Sequence, residues 1–271
     1  MTDIDLTTLT ERIRHHKRRL VDIVSPPVCT ERALHYTEAY KAHMDKPMVL
    51  RRAIALAHHL EKRTIWIDND ELIIGNQAAY LRSAPIFPEY TMDWVVKEID
   101  ELADRPGAGF TVAEKDKNII HAIAPFWEGQ TVRDRCYALF TDDQRALLDS
   151  GIIKAEGNMN AGDAHMAVDY ELLLKVGIAG LREKVAERRS RIDLAVWADL
   201  HRDQFLKAVD LSFAALTEHI RRYADLAKQM ASDEQRLERR DELLAIAENC
   251  ELIAKQPPKT FWQALQLCFF I

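Results

Sequence analysis

The sequence is 271 residues long, with 48% hydrophobic and 30% charged residues. This is ordinary globular composition, and it excludes a disordered or fibrous chain. The 37 Lys and Arg residues stand against 43 Asp and Glu, and the resulting net charge of −6 argues against nucleic acid as a partner. The 9 Gly and 9 Pro residues are few for a loop-rich β-protein and therefore favour long helices.

The cysteines and the apolar segments indicate the cellular compartment. Cys29, Cys136, Cys250 and Cys268 form no CxxC pair, so we predict reduced thiols rather than disulfides or a metal site. The charged N-terminus has no signal-peptide pattern, and no apolar run is long enough to cross a bilayer. These features predict a soluble, cytoplasmic protein without a membrane partner.

Helix signals dominate the first part of the chain. A capping box over residues 8–11 predicts a first helix, which Ser25-Pro26-Pro27 ends because proline cannot donate a backbone hydrogen bond. Thr30 is predicted to cap a second helix that runs towards Met44. Pro47 suits the first turn of a third helix.

The pattern then changes to short apolar runs. Residues 64–67 and 71–74 are rich in β-branched residues and flank an Asx-rich turn, which predicts a β-hairpin. A loop marked by prolines follows over residues 83–88. Short helices are predicted over 92–103, 112–124, 132–139 and 142–149, the second of them with a capping box that begins at Thr111.

The second half of the chain has one irregular segment and is otherwise helical. Residues 151–170 carry three glycines and lack a clean apolar stripe, so they predict an ordered loop. Helix is predicted from about Glu171 onward, again after Asp233, and from Thr260, with a break at Gln256-Pro257-Pro258. The clearest apolar stripe has a spacing of three or four residues and comprises Phe205, Val209, Phe213, Leu216, Ile220, Tyr223 and Ala227.

The last predicted helix, over residues 260–271, is apolar nearly all round. Such a pattern is typical of a helix that is buried on every side. Because chain termini usually lie at the surface, this pattern predicts that the polypeptide is cut short.

Most candidate chemistry has a simple structural alternative. The common phosphate-binding, zinc-protease, hydrolase and calcium motifs are absent. The pairs His15-His16 and His58-His59 cannot each face one metal ion, because adjacent helical residues point about 100° apart. The glycine-rich loop from Gly157 to His165 gathers polar groups without a helical reason. His165 could bond a substrate hydroxyl there, or it could satisfy a loop carbonyl.

Four stretches make the chain resemble the N-terminal part of the glycyl radical enzymes. They read IDNDELIIGNQ (67–77), PIFPEY (85–90), GIIKAEGNMNAGDAH (151–165) and QPPKTFWQALQLCFFI (256–271). This superfamily contains pyruvate formate-lyase and the B12-independent glycerol and diol dehydratases, and the resemblance is greatest to proteins called formate acetyltransferase 2. It implies that residues 1–271 form the N-terminal part of a pyruvate formate-lyase domain. The expected fold is mainly α with a few short strands, a truncated portion of a ten-stranded α/β barrel.

The resemblance also implies a radical mechanism that needs more than this chain. In the family a thiyl cysteine is generated by a glycyl radical, and both positions lie beyond Ile271. None of the four cysteines matches the family's active-site cysteine, so we expect no catalytic residue, no bound metal and no turnover by this chain alone. A radical S-adenosylmethionine activating enzyme with an iron–sulfur cluster would install the glycyl radical, and the full-length protein is expected to be a homodimer.

His165 is the one site residue that the resemblance carries over, as a substrate-binding residue. Dehydratases of the family use a histidine in this loop to contact a substrate hydroxyl, whereas pyruvate formate-lyases have arginines where this chain has Asp163 and His165. An arginine fork suits a carboxylate, and a histidine suits a neutral polyol. The expected reaction is radical C–O or C–C cleavage of a small polyol or oxo-acid. The alternative is a non-catalytic helical fragment or binding domain.

Overall fold

The computed structural model describes residues 10–107, 109–152 and 167–271. Within these ranges the chain is mainly helical with two short strands, which confirms the predicted fold class. The strands are β1 (Val28–Cys29) and β2 (Ala84–Pro85), and a 3-10 helix covers Leu102–Asp104. The helices are α1 (Glu11–Asp22), α2 (Glu31–Ala42), α3 (Met48–Lys62), α4 (Asp93–Glu98), α5 (Glu114–Trp127), α6 (Val132–Tyr137), α7 (Asp142–Asp149), α8 (Tyr170–Arg189), α9 (Trp197–Asp233), α10 (Leu237–Ile253) and α11 (Phe261–Phe270).

The starts of the first helices lie close to their predicted positions. Thr10, rather than Thr8, is the N-cap of α1, and its side chain accepts a hydrogen bond from the Ile13 N–H at 3.4 Å. Thr8 lies outside the described residues. Thr30 precedes α2 as predicted, but its hydroxyl donates to Asp116 on α5 at 2.6 Å instead of capping the helix. The hydrogen bond to Asp116 therefore takes the place of a side-chain cap at the start of α2.

The predicted hairpin over residues 64–67 and 71–74 is wrong. Neither run forms a strand, and the sheet instead pairs β1 with β2 in parallel, with Val28 opposite Ala84. A buried backbone N–H or carbonyl needs a hydrogen-bond partner, and side chains of α10 and α11 supply these partners for residues 71–74. The backbone of this run therefore does not need a neighbouring strand to satisfy its hydrogen bonds.

The helices between residues 92 and 149 are confirmed with shifted ends. The first is shorter than predicted, because α4 ends at Glu98 and only the 3-10 turn follows. Thr111 does not begin a capping box, since it forms a bridge with Pro27 and Ala113 is the N-cap of α5. Helix α7 matches its predicted range, and α6 and α7 each begin with a complete capping box, at Thr131 and Thr141.

Two apolar cores organise the described residues. One lies among α2, α5 and the segment from Ile86 to Leu102, with Trp127 almost fully buried. The other lies among α8, α9, α10 and α11, and it also takes in Ile67 and Ile74. Helix α3 packs against both α2 and α9 and so joins the two cores.

Helix α8 contains a sharp break at Gly177. This residue has φ 66° and ψ 179°, in the region that favours glycine. A Cβ atom there would lie 2.9 Å from the backbone nitrogen of Pro257. The break therefore lets the chain before α11 approach α8 closely.

The longest and the last helices are unevenly buried. On α9, Ile220, Tyr223 and Ala227 are buried as the stripe predicts, but Phe205 is 57% exposed. Helix α11 is apolar nearly all round, and a polypeptide that is cut short is expected to leave such a helix partly uncovered; its residues Phe261 and Phe269 are exposed. In the described ranges, none of the helices combines the length and the apolar character that a membrane span requires.

Candidate functional site

Helix α11 holds the extended segment of residues 67–77 through side chains. The Gln266 side chain accepts from the Ile74 N–H at 2.9 Å and donates to the Ile74 carbonyl at 2.7 Å. The Trp262 indole N–H donates to the Leu72 carbonyl at 2.9 Å. Gln266 is 1% exposed, so the buried face of α11 contains polar residues that replace the missing strand. Two of the four stretches that carry the family resemblance thus bind each other.

Helix α10 completes the support of this segment. The buried Arg239 guanidinium donates to the carbonyls of Asp68 and Glu71, each at 2.8 Å, and it pairs with Glu242 at 2.9 Å. Burial raises the pKa of the Glu71 carboxyl to about 7. The charged groups here fix the backbone of the segment, and Glu71 is positioned to change its charge near neutral pH.

A cavity of about 210 Å³ with both polar and apolar walls opens where this segment meets α3, α9 and α11. Arg63, at the end of α3, is 8% exposed, and His219 on α9 is 4% exposed. The cavity is lined by Leu60, Arg63, Gly75, Asn76, Gln77, His219, Phe269, Phe270 and Ile271. We define this set as the Arg63 cavity.

The polar groups around the Arg63 cavity have defined partners and charge states. His219 Nδ1 lies 3.1 Å from the Leu60 carbonyl, which can only accept, so Nδ1 carries the proton. Burial, followed by the charge of Arg63, lowers the pKa of His219 to about 4. The Arg63 guanidinium donates to the Asn76 carbonyl, and the Asn76 N–H donates to the Tyr223 hydroxyl at 3.1 Å. At neutral pH the cavity therefore has a neutral imidazole beside a charged guanidinium.

Three histidines of α2 and α3 pack against one another: the rings of His58 and His59 both contact that of His35. His59 Nδ1 lies 3.2 Å from His35 Nδ1, and burial lowers the pKa of His59 to about 2. The His58 ring meets the His35 ring edge-on, with 5.9 Å between the centroids, and its Nε2 lies 2.8 Å from a carboxylate oxygen of Glu38. Across residues 10–107, 109–152 and 167–271, no three His, Cys, Asp or Glu side chains are grouped so that they could hold a metal ion.

The PIFPEY stretch forms a buried ion pair with α2. The Arg32 guanidinium donates to both carboxylate oxygens of Glu89, one of them at 2.8 Å, and Glu89 is 6% exposed. The guanidinium also lies between the rings of Tyr36 and Phe87, 3.8 and 3.9 Å from their centroids. This bidentate pair with aromatic faces on both sides fixes the loop after β2 to the first core.

The remaining residues that the sequence singled out are His165 with its loop glycines and the cysteines. His165, with Gly157 and Gly162, lies outside the described residues. Of the cysteines, Cys250 is buried and burial raises the pKa of its thiol to about 12, which suits an inert thiol. The apolar residues around Cys268 predict an inert buried thiol, but Cys268 is only half-buried because one side of α11 is uncovered.

The Arg63 cavity was missed by the sequence analysis. Arg63 is the C-cap of α3 and follows Lys62, the last residue of that helix. Basic residues at the C-terminal end of a helix usually lie in solvent, where they interact with the last carbonyls. His219 directly precedes Ile220 within the span of the apolar stripe of α9, and the pattern gave it no separate signal. The packing of α3 against α9 brings these two side chains together, and residues 75–77 and α11 complete the cavity around them.

Comparison with known proteins gives a consistent family. The profile of the family described as pyruvate formate lyase-like matches residues 7–271. The probable dehydratase YbiW of Escherichia coli (strain K12) is 66% identical over 271 residues, which are 100% of this chain and 34% of the relative. The (2S)-3-sulfopropanediol dehydratase of Klebsiella oxytoca is 34% identical over 248 residues, 89% of this chain and 30% of the relative.

The fold comparison agrees. The glycerol-bound B12-independent glycerol dehydratase from Clostridium butyricum matches with a TM-score of 0.93 and 31% identity, over 97% of this chain and 33% of that chain. The chain thus spans about a third of the length of the relatives it matches. The resemblance to the N-terminal portion of glycyl radical enzymes, predicted from four sequence stretches, is confirmed.

Proposed function

The chain belongs to the pyruvate formate lyase-like family, and from that premise we propose that it forms the N-terminal part of a glycyl radical dehydratase. Residues 1–271 would supply early helices and one wall of the substrate pocket within a larger catalytic domain. The observation that carries this proposal is the fold similarity to a glycerol dehydratase over nearly the whole chain. The reaction class would be radical C–O cleavage.

The proposed substrate is a small neutral polyol, and His165 is its proposed contact in this chain. A histidine ring can accept from one hydroxyl or donate to it, and its neutral form brings no charge that would favour a carboxylate. A glycyl radical and a thiyl cysteine from further sequence would supply the hydrogen abstraction, and a radical S-adenosylmethionine activating enzyme would install the radical. This chain's own role would be to bind and orient the substrate.

A chimera tests the proposal. The chain replaces the corresponding third of the Escherichia coli relative, whose 66% identity favours correct packing. After anaerobic treatment with that relative's activating enzyme, electron paramagnetic resonance measures the glycyl radical. A coupled assay then measures turnover of glycerol and propane-1,2-diol. We expect both a radical signal and diol turnover.

A His165→Ala variant of the chimera isolates the substrate contact. Loss of one or two hydrogen bonds, each worth about 1–3 kcal/mol when a buried partner is left unpaired, should reduce turnover at least tenfold while the radical yield is kept. His121→Ala, an exposed histidine on α5, is the matched control and should change neither. Loss of radical and turnover together in His165→Ala would make the residue structural. A chimera that carries the radical but turns over no diol would support the non-catalytic alternative.

A further inference from the structure

Helix α1 is attached to the turn of residues 68–71 and to α10 by charged side chains. Arg19 pairs with the Asp68 carboxylate, and Arg12 pairs with Glu242 on α10. Among the described residues, neither apolar core includes a side chain of α1. Polar contacts therefore supply much of the attachment of α1.

Three carboxylates share the turn that α1 covers. Asp68 pairs with Arg19, and the Asp70 carboxylate lies 3.9 Å from His15 Nε2. Glu71 is half-buried and accepts from the Asp68 N–H at 2.9 Å, but no Lys or Arg of the described ranges forms an ion pair with it. When it is ionised, Glu71 is thus the third negative charge within four residues, at a position partly removed from water.

We propose that α1 is a proton-sensitive clamp on residues 68–71, which closes when the Glu71 carboxyl is neutral and loosens when this carboxyl ionises. The groups that form the clamp belong to residues 12–19, 68–71 and 236–242. The proposal does not rest on the proposed dehydratase function.

The groups that face Glu71 come from α1, from α10 and from its own turn. On α1 they are Arg19 and His16, whose Nε2 lies 3.1 Å from the Asp70 carbonyl. On α10 the group is Arg239, whose guanidinium already donates to two backbone carbonyls and pairs with Glu242. Burial outweighs the attraction of these groups and raises the pKa of Glu71 to about 7. The other charged or titratable groups at this turn are Arg12, His15, Asp68, Asp70, Arg236 and Glu242.

Proton linkage sets the direction of the effect. When α1 leaves the turn, Glu71 regains contact with water, and its pKa moves back towards the ordinary value of 4.5. The closed clamp therefore binds the proton more tightly than the open one, so closure is favoured below pH 7 and weakened above it. If the pKa returns fully to its ordinary value, the ratio of closed to open clamp falls by about tenfold between pH 6 and pH 8.

Hydrogen–deuterium exchange of the whole chain at these two pH values, corrected for the intrinsic exchange rate, measures the clamp. A free helix of 12 residues is marginal in water, so the amides of α1 should exchange when it is released. We expect the protection of residues 11–22 to be up to about tenfold lower at pH 8 than at pH 6, with peptides of α9 unchanged.

Two variants separate Glu71 from the histidines, which also gain charge as the pH falls. Glu71→Gln is neutral at both pH values and can still accept from the Asp68 N–H, so it should remove most of the difference in protection. Glu183→Gln, at an exposed position on α8, is the matched control and should keep the difference. An equal difference in Glu71→Gln and in the unaltered chain would overturn the proposal. A loss of protection at pH 8 that extends equally to α9 would overturn it as well, because it would report global stability.

A second measurement uses the unaltered chain, so it stands even if Glu71→Gln fails to fold. The carbon-13 shift of the Glu71 carboxyl, followed by nuclear magnetic resonance, should titrate with a midpoint near pH 7. A midpoint near the ordinary value of 4.5 would show that α1 does not act on the ionisation of Glu71, and the clamp would be refuted.

Discussion

Removing the Gln266 side-chain amide should destabilise the fold more than any substitution of an exposed residue. Gln266→Leu keeps the size of the side chain but leaves the Ile74 N–H and carbonyl buried without partners. Each unsatisfied buried group costs about 1–3 kcal/mol, so the expected loss in the free energy of unfolding is about 2–6 kcal/mol. Since whole domains are stable by roughly 5–15 kcal/mol, this is a large fraction.

Urea unfolding followed by circular dichroism measures the effect. We expect Gln266→Leu to lower the midpoint without changing the slope, and Gln229→Leu, an exposed glutamine on α9, to leave both unchanged. Gln266→Glu can accept from Ile74 but can donate only when protonated, so its deficit should shrink as the pH falls. A loss below about 0.5 kcal/mol for Gln266→Leu would refute the reasoning that the two backbone bonds are buried and essential.

Three further predictions concern other parts of the chain. Gly177→Ala should lower the free energy of unfolding by several kcal/mol, because its Cβ would collide with the backbone of Pro257. Gly129 also has a positive φ but has free space around it, so Gly129→Ala should cost only about 1 kcal/mol in the same urea assay. The folded pKa of His219 lies below its ordinary value of 6.5, at about 4, so between these pH values this imidazole binds a proton in the unfolded chain and not in the folded one. Its contribution to stability should fall by up to roughly 3 kcal/mol on acidification. Glu71, with a folded pKa of about 7, contributes in the opposite direction, so the measurement is the difference between the unaltered chain and His219→Gln in urea unfolding at successive pH values. The exposed apolar side of α11 should make the isolated chain associate, light scattering should show this, and Phe261→Lys should reduce it; a monomer at high concentration would contradict the expectation.

Burial was harder to predict than helix position. The apolar pattern of α11 does not indicate which of its sides is covered in this chain: the two glutamines Gln263 and Gln266 are buried, while Phe261 is 83% exposed. Hydrophobicity ranks residues by their average burial, but a polar side chain is buried when it satisfies backbone groups that have no other partner. Phe205 is the opposite case, an apolar residue that is exposed. The apolar stripe of α9 continues to Phe205, beyond the part of the helix that other helices cover.

What the sequence by itself determined are the features whose cause is local. The threonine cap at Thr260, the proline break before α11 and the periodicity of α9 each depend on residues within a few positions of one another, and the family resemblance was carried by short stretches. Only the tertiary structure decided where the backbone of residues 67–77 finds its hydrogen bonds and that Arg63 meets His219 in one cavity. Gln266 and Ile74 are 192 residues apart in the chain, and His219 and Leu60 are 159 apart. No periodicity or capping rule connects such distant positions, because their contact depends on how whole helices pack.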